Sequence, residues 1–311
     1  MTARRVAAID CGTNSIRLLV ADVDGATGRL VDVDRRMEVV RLGEGIDGTG
    51  EMSGQALERT FAAVDRYGAR IKELGTEYVR FVATSATRDA ANRDVFVSGV
   101  RGRLGVEPQV VSGEEEAALS FRGATYELSP GDQPEPYLVV DIGGGSTEFV
   151  MGHSTTGPTA SASVDIGCVR LTERHFRSDP PLPAEVSAAR DDIDAAIAEV
   201  ARTVPLRRAG TLIGLAGSVT TVSALALGLW EYDPVRIHRS VVSAASVHRA
   251  CEDLLYLTRE RRAALPVMHP GRVDVIMAGA LIWSSIVAYS GQADVVASEH
   301  DILDGIALSL A

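Results

Sequence analysis

The hydrophobic and polar positions of the chain contain a repeated unit: an apolar run ends in an acidic residue, passes through small residues and resumes as a second apolar run. Val6, Ala7, Ala8 and Ile9 lead to Asp10, then Cys11-Gly12-Thr13-Asn14-Ser15, then Ile16, Leu18, Leu19 and Val20. Leu138, Val139 and Val140 lead to Asp141, then Ile142-Gly143-Gly144-Gly145-Ser146, then Thr147, Phe149, Val150 and Met151. Each reads as strand, tight turn, strand, because the residues after the turn are β-branched, aromatic or aliphatic. At a constant offset of 131, Asp10 falls on Asp141, Gly12 on Gly143 and Ser15 on Ser146. An ordinary loose hairpin would explain one such pattern; two copies at one offset point to a duplicated device.

Between and after these hairpins the periodicity changes. Leu57, Phe61, Val64, Ile71 and Leu74 mark a helix face, with Ser53 as its cap and Gly75 as its stop. Residues 78–84 read as a strand, 92–104 as a helix and 106–111 as a strand. In the second half a strand is predicted around residues 162–166. A long amphipathic helix runs through Val186, Ile193, Ile197, Val200 and Val204. A third small-residue turn spans 211–221 and leads into a helix at 222–229. Helices at 246–257 and 272–289, a strand at 294–297 and a C-terminal helix complete the series. Strands alternating with helices predict an α/β fold. The Ser129-Pro130-Gly131-Asp132-Gln133-Pro134-Glu135-Pro136 stretch is the clearest break, so the expected domains are 1–130 and 131–311.

Composition narrows the function classes. At 311 residues and 46% hydrophobic content the chain can bury a sizeable core. A net charge of -11 argues against general binding to nucleic acid or acidic lipid, so a polyanionic ligand must be met by a local patch. Residues 275–289 form the most apolar segment, too short to span a membrane. Cys11, Cys168 and Cys251 form no C-x-x-C pair, and Arg4-Arg5 runs into residues 6–10 without a leader-like apolar stretch. Both features fit a reducing, cytoplasmic setting. The six histidines show no H-x-x-x-H or H-E-x-x-H spacing, and no metal site is expected from them.

The turns carry the candidate chemistry. Glycines without Cβ let backbone N–H groups approach an oxyanion, and an aspartate at the lip is placed to hold a divalent cation. No Lys-Ser/Thr closes either loop as in a Walker A motif, and no helix follows as in a dinucleotide-binding fingerprint. The third turn, with Gly217 and Ser218, does lead into a helix whose N-terminus offers amides to an anion; close helix-on-strand packing is the alternative. Arg88 follows a strand end among small residues, where α/β sheets place ligands, although a solvated arginine would look the same. Ser112 followed by Glu115 is a capping box, which assigns Glu115 to structure and leaves Glu114 and Glu116 on other faces of the first turn.

Taken together, Ala8-Ile9-Asp10-Cys11-Gly12-Thr13-Asn14-Ser15, Thr84-Ser85-Ala86-Thr87-Arg88, Ser112-Gly113-Glu114-Glu115-Glu116-Ala117, Asp141-Ile142-Gly143-Gly144-Gly145-Ser146-Thr147-Glu148 and Gly214-Leu215-Ala216-Gly217-Ser218 resemble the exopolyphosphatase and guanosine pentaphosphate phosphohydrolase family, within the actin, Hsp70 and sugar-kinase superfamily. The resemblance implies two ribonuclease-H-like (actin-like ATPase) domains with an active site in the cleft between them. It implies hydrolysis of a terminal phosphoanhydride with Mg²⁺ or Mn²⁺, of inorganic polyphosphate first and of guanosine pentaphosphate as the alternative, and a homodimer by analogy; a non-catalytic alarmone- or polyphosphate-binding sensor is the remaining reading. The catalytic glutamate corresponds to Glu116, with Arg88 beside the transferring phosphate; Glu115 is the second candidate if the helix start shifts. Phosphate oxygens are expected on Thr13, Asn14, Ser15, Gly143, Gly144, Gly145, Ser146, Gly217 and Ser218. The metal is expected on Asp141, helped by Asp10 and Glu148. The chain stops at Ala311, without the helical extension of longer members, which points to short polyphosphate chains.

Overall fold

A computed structural model describes residues 3–76, 78–129 and 131–311. The chain divides into two compact units, Met1–Tyr126 with Ile302–Ala311, and Glu127–Asp301. The first boundary lies within a few residues of the predicted break, of which Pro130 is outside the described residues. The expected range 131–311 differs from the observed unit at its end, because the C-terminal helix belongs to the first unit.

In the first unit β1 (Arg4–Cys11), β2 (Ser15–Val23), β3 (Leu30–Val39), β4 (Tyr78–Ala83) and β5 (Gln109–Val110) form one sheet in the order β3-β2-β1-β4-β5. β1 pairs antiparallel with β2 and parallel with β4, and β4 is parallel to β5. The helices are α1 (Ile46–Thr49), α2 (Gly54–Glu73), α3 (Ser85–Asp89), α4 (Arg93–Leu104) and α5 (Gly113–Thr125). The Ser53 side chain caps α2 on the amide of Ala56, as its position predicts. Both faces of β1 are covered. Ala7 and Ile9 pack with Leu57, Val64, Ile71 and Phe96 of α2 and α4. Val6 and Ala8 pack with Leu119 of α5 and with Ile302, Leu303 and Ile306 of the C-terminal helix, Ile302–Leu308. That second face is why the last helix returns to the first unit. Gly305 permits the approach, since a Cβ there would lie 2.0 Å from the Leu119 carbonyl oxygen of α5.

The second unit repeats the plan. β6 (Tyr137–Ile142), β7 (Thr147–His153), β8 (Gly157–Val164), β9 (Thr211–Leu215), β10 (Val241–Ser243) and β11 (Asp294–Ala297) form a sheet in the order β10-β11-β9-β6-β7-β8. Read from the other edge, β8-β7-β6-β9-β11 matches β3-β2-β1-β4-β5 of the first unit, with β10 added at the edge beside β11. This strand order, twice, is the ribonuclease-H-like arrangement. The helices are α6 (Cys168–His175), α7 (Pro183–Val200), α8 (Ala216–Ala226), α9 (Pro234–Ile237), α10 (Ala244–Tyr256), α11 (Arg259–Ala263) and α12 (Ile276–Ser290). α12 supplies the centre of the core with the fully buried Trp283, which lies over Gly214 of β9. No helix among the described residues is long and apolar enough to cross a membrane.

Candidate functional site

In the first unit the chemistry gathers at the C-terminal ends of the parallel strands. Cys11 of β1 lies beside Ala83 of β4, and the amide of Thr84 donates to the Cys11 carbonyl at 3.2 Å. The turn after β1 therefore sits next to the start of α3, where Thr13 Oγ1 and Ser85 Oγ are 2.9 Å apart. The turn closes with the Gly12 amide donating to the Ser15 carbonyl at 3.0 Å. Its carbonyls are secured from one side: Val40 and Arg41 amides donate to Asn14 at 3.0 and 2.8 Å, and the Gly43 amide to Thr13 at 2.8 Å. Among the described residues the Thr13 and Asn14 amides donate to nothing in the chain. Asp10, 4% exposed, accepts from Arg17 Nε at 3.0 Å and Nη2 at 2.7 Å, its direct neighbour across β1 and β2.

The same end of the sheet carries Arg88 and Glu116. Arg88 Nη1 donates to the Val111 carbonyl and to Glu116 Oε2, each at 3.1 Å. The two predicted catalytic side chains are thus in direct contact, with Glu116 8% exposed. Ser112 caps α5 on the Glu115 amide at 3.2 Å, but the reciprocal half of the predicted capping box is absent. Glu115 pairs instead with Arg80 at 2.7 Å, because a cation within reach on β4 competes with the cap. Glu115 and Glu116 therefore point to different partners, as successive residues in a helical turn do.

The second unit builds the matching turn. The Gly143 amide donates to the Ser146 carbonyl at 3.0 Å, the counterpart of the bond from Gly12 to Ser15. The start of α6 holds the carbonyls. Cys168 N donates to Gly143 O at 3.0 Å, while Val169 N and Arg170 N donate to Gly144 O at 2.9 and 3.1 Å. Arg170 Nε donates to Gly145 O at 2.9 Å. Gly167 lets α6 come this close, since a Cβ there would lie 2.3 Å from the Gly144 oxygen. A trans peptide directs its N–H opposite to its C=O, so the amides of Gly144, Gly145 and Ser146 face away from α6, a nest of donors suited to an anion.

Across β6 and β7, Asp141 is paired with Glu148, and both are buried, at 7% and 1% exposure. Paired residues present their side chains on one face of a sheet. Glu148 Oε1 accepts from Ser163 Oγ at 2.8 Å. Two hard carboxylates on one face are the kind of donors that a hard divalent cation takes.

α8 begins earlier than the sequence predicts. Ala216 takes a left-handed φ of 65° and the helix starts directly from β9, so Gly217 and Ser218 form its first turn rather than a loop before residue 222. Asp141 of β6 lies beside Leu215 of β9, which puts this helix start at the same end of the sheet as the 143–146 turn. A Cβ on Gly217 would lie 2.3 Å from Arg272 Cζ, so the guanidinium rests on the helix start; Arg272 Nη1 donates to Thr221 Oγ1 at 3.2 Å. Ser218 packs on Gly279 and hydrogen-bonds Cys168, whose thiol burial raises to a pKa of about 11.

The structure also joins histidines that spacing keeps apart. Glu127 Oε2 lies 3.1 Å from His238 Nε2 and 3.4 Å from His300 Nδ1, with the two rings 4.2 Å apart. These three could in principle ligate a metal. The Glu299 amide, however, donates to His238 Nδ1 at 3.2 Å, which leaves the proton of neutral His238 on Nε2, facing Glu127. A metal-ligating histidine needs that nitrogen bare and its other nitrogen donating, so the trio fits a hydrogen-bonded cluster. Burial and the neighbouring His300 lower the His238 pKa.

Sequence reasoning missed Arg17, Gly167, Arg170, Arg272 and the His238 cluster. For Arg17 a signal existed, since the 131 offset sets it against Glu148; the others are brought in by segments with no local mark.

A model of the Ppx/GppA phosphatase family matches residues 19–310. Exopolyphosphatase 2 of Mycobacterium tuberculosis is 50% identical over the whole of both chains. The guanosine-5'-triphosphate,3'-diphosphate pyrophosphatase of Photobacterium profundum is 33% identical, over 84% of this chain and 52% of its own length. A crystal structure of an exopolyphosphatase-like protein superposes with a TM-score of 0.93 and 44% identity, covering 99% of this chain and 98% of that one. The duplicated hairpins, the repeated strand order and these full-length matches give one conclusion: the chain belongs to the Ppx/GppA phosphatase family.

Proposed function

We propose that the protein is a metal-dependent exopolyphosphatase that releases orthophosphate from the end of inorganic polyphosphate, with short chains preferred. The observation that carries this reading is the pair of turns at 12–15 and 143–146, each closed by its own hydrogen bond of the same kind and each with amides on the side away from the segments that hold its carbonyls. In this reading Thr13, Asn14, Ser15, Gly143, Gly144, Gly145 and Ser146 bind phosphate oxygens, joined by Gly217 and Ser218 at the start of α8. Glu116 accepts a proton from water as the water oxygen attacks the terminal phosphorus. The bridging P–O bond breaks and the shortened chain leaves with that oxygen. Arg88 fixes Glu116 through Oε2 and lends positive charge.

Asp141 and Glu148 would hold Mg²⁺ or Mn²⁺, which supplies charge neutralisation to the phosphate oxygens when bound. Asp10 enters mainly as the partner of Arg17. A cytoplasmic homodimer is part of the same reading.

The second reading is hydrolysis of guanosine pentaphosphate, favoured by the relative of that activity and by the shared terminal linkage. Orthophosphate release from short polyphosphate, long polyphosphate and guanosine pentaphosphate at equal concentration decides between them. Faster release from polyphosphate supports the first reading, and faster release from the nucleotide overturns it.

A further inference from the structure

The two turns secure corresponding carbonyls by different means. At the 131 offset Asn14 corresponds to Gly145. The Asn14 carbonyl accepts from two backbone amides, those of Val40 and Arg41. The Gly145 carbonyl accepts from a side chain, Arg170 Nε, at 2.9 Å. The carbonyls of Gly143 and Gly144 are held by backbone amides of α6, bonds that do not involve the Arg170 side chain. Of these three carbonyls, among the described residues, it is that of the peptide from Gly145 to Ser146 that is held by a side chain. That peptide carries the Ser146 N–H, and its planarity ties the direction of this donor to the bond made by Arg170. Arg170 also donates its own amide to Gly144, so one residue bridges two successive carbonyls.

We propose that Arg170 is a positioning residue for anion binding at the 143–146 turn, acting through the Gly145 carbonyl to aim the Ser146 amide at the phosphate. The inference rests on reading that turn as a phosphate site. Glycine makes the lock necessary, because Gly145 has no Cβ to restrict its backbone and the peptide would otherwise rotate. Losing the bond leaves the average turn populated but loosens one donor, which weakens binding more than chemistry.

The test compares wild type, Arg170→Ala and Arg170→Lys by three readouts: kcat and KM for short polyphosphate, melting temperature, and backbone hydrogen exchange of the peptide spanning 143–150 with and without tripolyphosphate. Arg170→Ala is expected to raise KM about tenfold, the worth of one good hydrogen bond, with kcat within about twofold and faster exchange at the turn. Arg170→Lys, which keeps one donor, is expected to recover part of the KM and of the protection. An unchanged KM overturns the proposal. So does a raised KM with unchanged exchange, which would make Arg170 a direct or purely electrostatic contact. If the alanine variant does not fold, the lysine variant decides by the same criteria. A wild type that releases no phosphate from polyphosphate overturns the functional reading instead; tripolyphosphate protection of the turn, lost in Arg170→Ala and partly kept in Arg170→Lys, then still decides the positioning role.

Discussion

Asp141 and Glu148 face each other across β6 and β7 at the register position where the first unit pairs Asp10 with Arg17. One duplicated hairpin therefore carries a carboxylate pair and the other an ion pair closed at 2.7 Å. Two carboxylates side by side on one face offer hard oxygen donors to a divalent cation, whereas at the first hairpin the same register position holds a guanidinium. In the proposed function this asymmetry is why the second hairpin, and not the first, is taken to hold the metal.

Replacing Asp141 by Asn or Glu148 by Gln is expected to raise the Mg²⁺ concentration for half-maximal activity at least roughly tenfold. Asp10→Asn should leave that titration within about twofold while lowering the melting temperature, because the ion pair between Arg17 and Asp10 is weakened. A metal titration of phosphate release checks all three.

Gly167→Ala places a Cβ 2.3 Å from the Gly144 oxygen, a backbone atom that cannot swing aside. A loss of about 1–3 kcal/mol in stability is expected, together with weaker polyphosphate binding, since the turn and α6 must separate. Denaturant unfolding and KM measure the two effects.

The His238 cluster gives a pH signature. In the folded protein the His238 pKa lies below its ordinary value of 6.5, so the fold favours the neutral ring. Below about pH 6.5 the unfolded chain binds more protons than the native state at this site, and stability falls as the pH drops towards the folded pKa. His238→Gln should flatten that part of the stability profile. Unfolding midpoints at pH 7.5 and 5.5 for both proteins test it.

Burial raises the thiol pKa of Cys168 to about 11 and pushes Cys11 and Cys251 up as well. None should react with a thiol reagent at pH 7.5 until the protein unfolds. Rapid labelling of the native protein would contradict the packing around Ser218 and Cys168.

Much of this site was legible because its parts are local. The Asp-x-Gly-x-x-Ser pattern sets a strand, a turn and a strand within about 15 residues, and the 131 offset carries over into the same closing hydrogen bond in both turns. What was hidden depends on distant segments. Leu303 and Ile306 join the first unit because Val6 and Ala8 need a cover, which no periodicity near residue 303 reveals. Gly217-Ser218 reads as a loop, yet the left-handed Ala216 makes the turn alone and lets α8 start at once. Glu127, His238 and His300 meet only because the chain is folded; the Arg239 amide, for instance, bonds the Ala297 carbonyl at 2.7 Å.

In the proposed reaction Glu116, held by Arg88, activates water for attack on a terminal phosphate of polyphosphate. Orthophosphate release from short polyphosphate with saturating Mg²⁺, compared between wild type and Glu116→Gln, tests it most directly. Metal-dependent release by the wild type, at least about a hundredfold slower in the variant at equal polyphosphate binding, is the predicted result. Near-wild-type turnover by Glu116→Gln, or no metal-dependent release by the wild type, would contradict it.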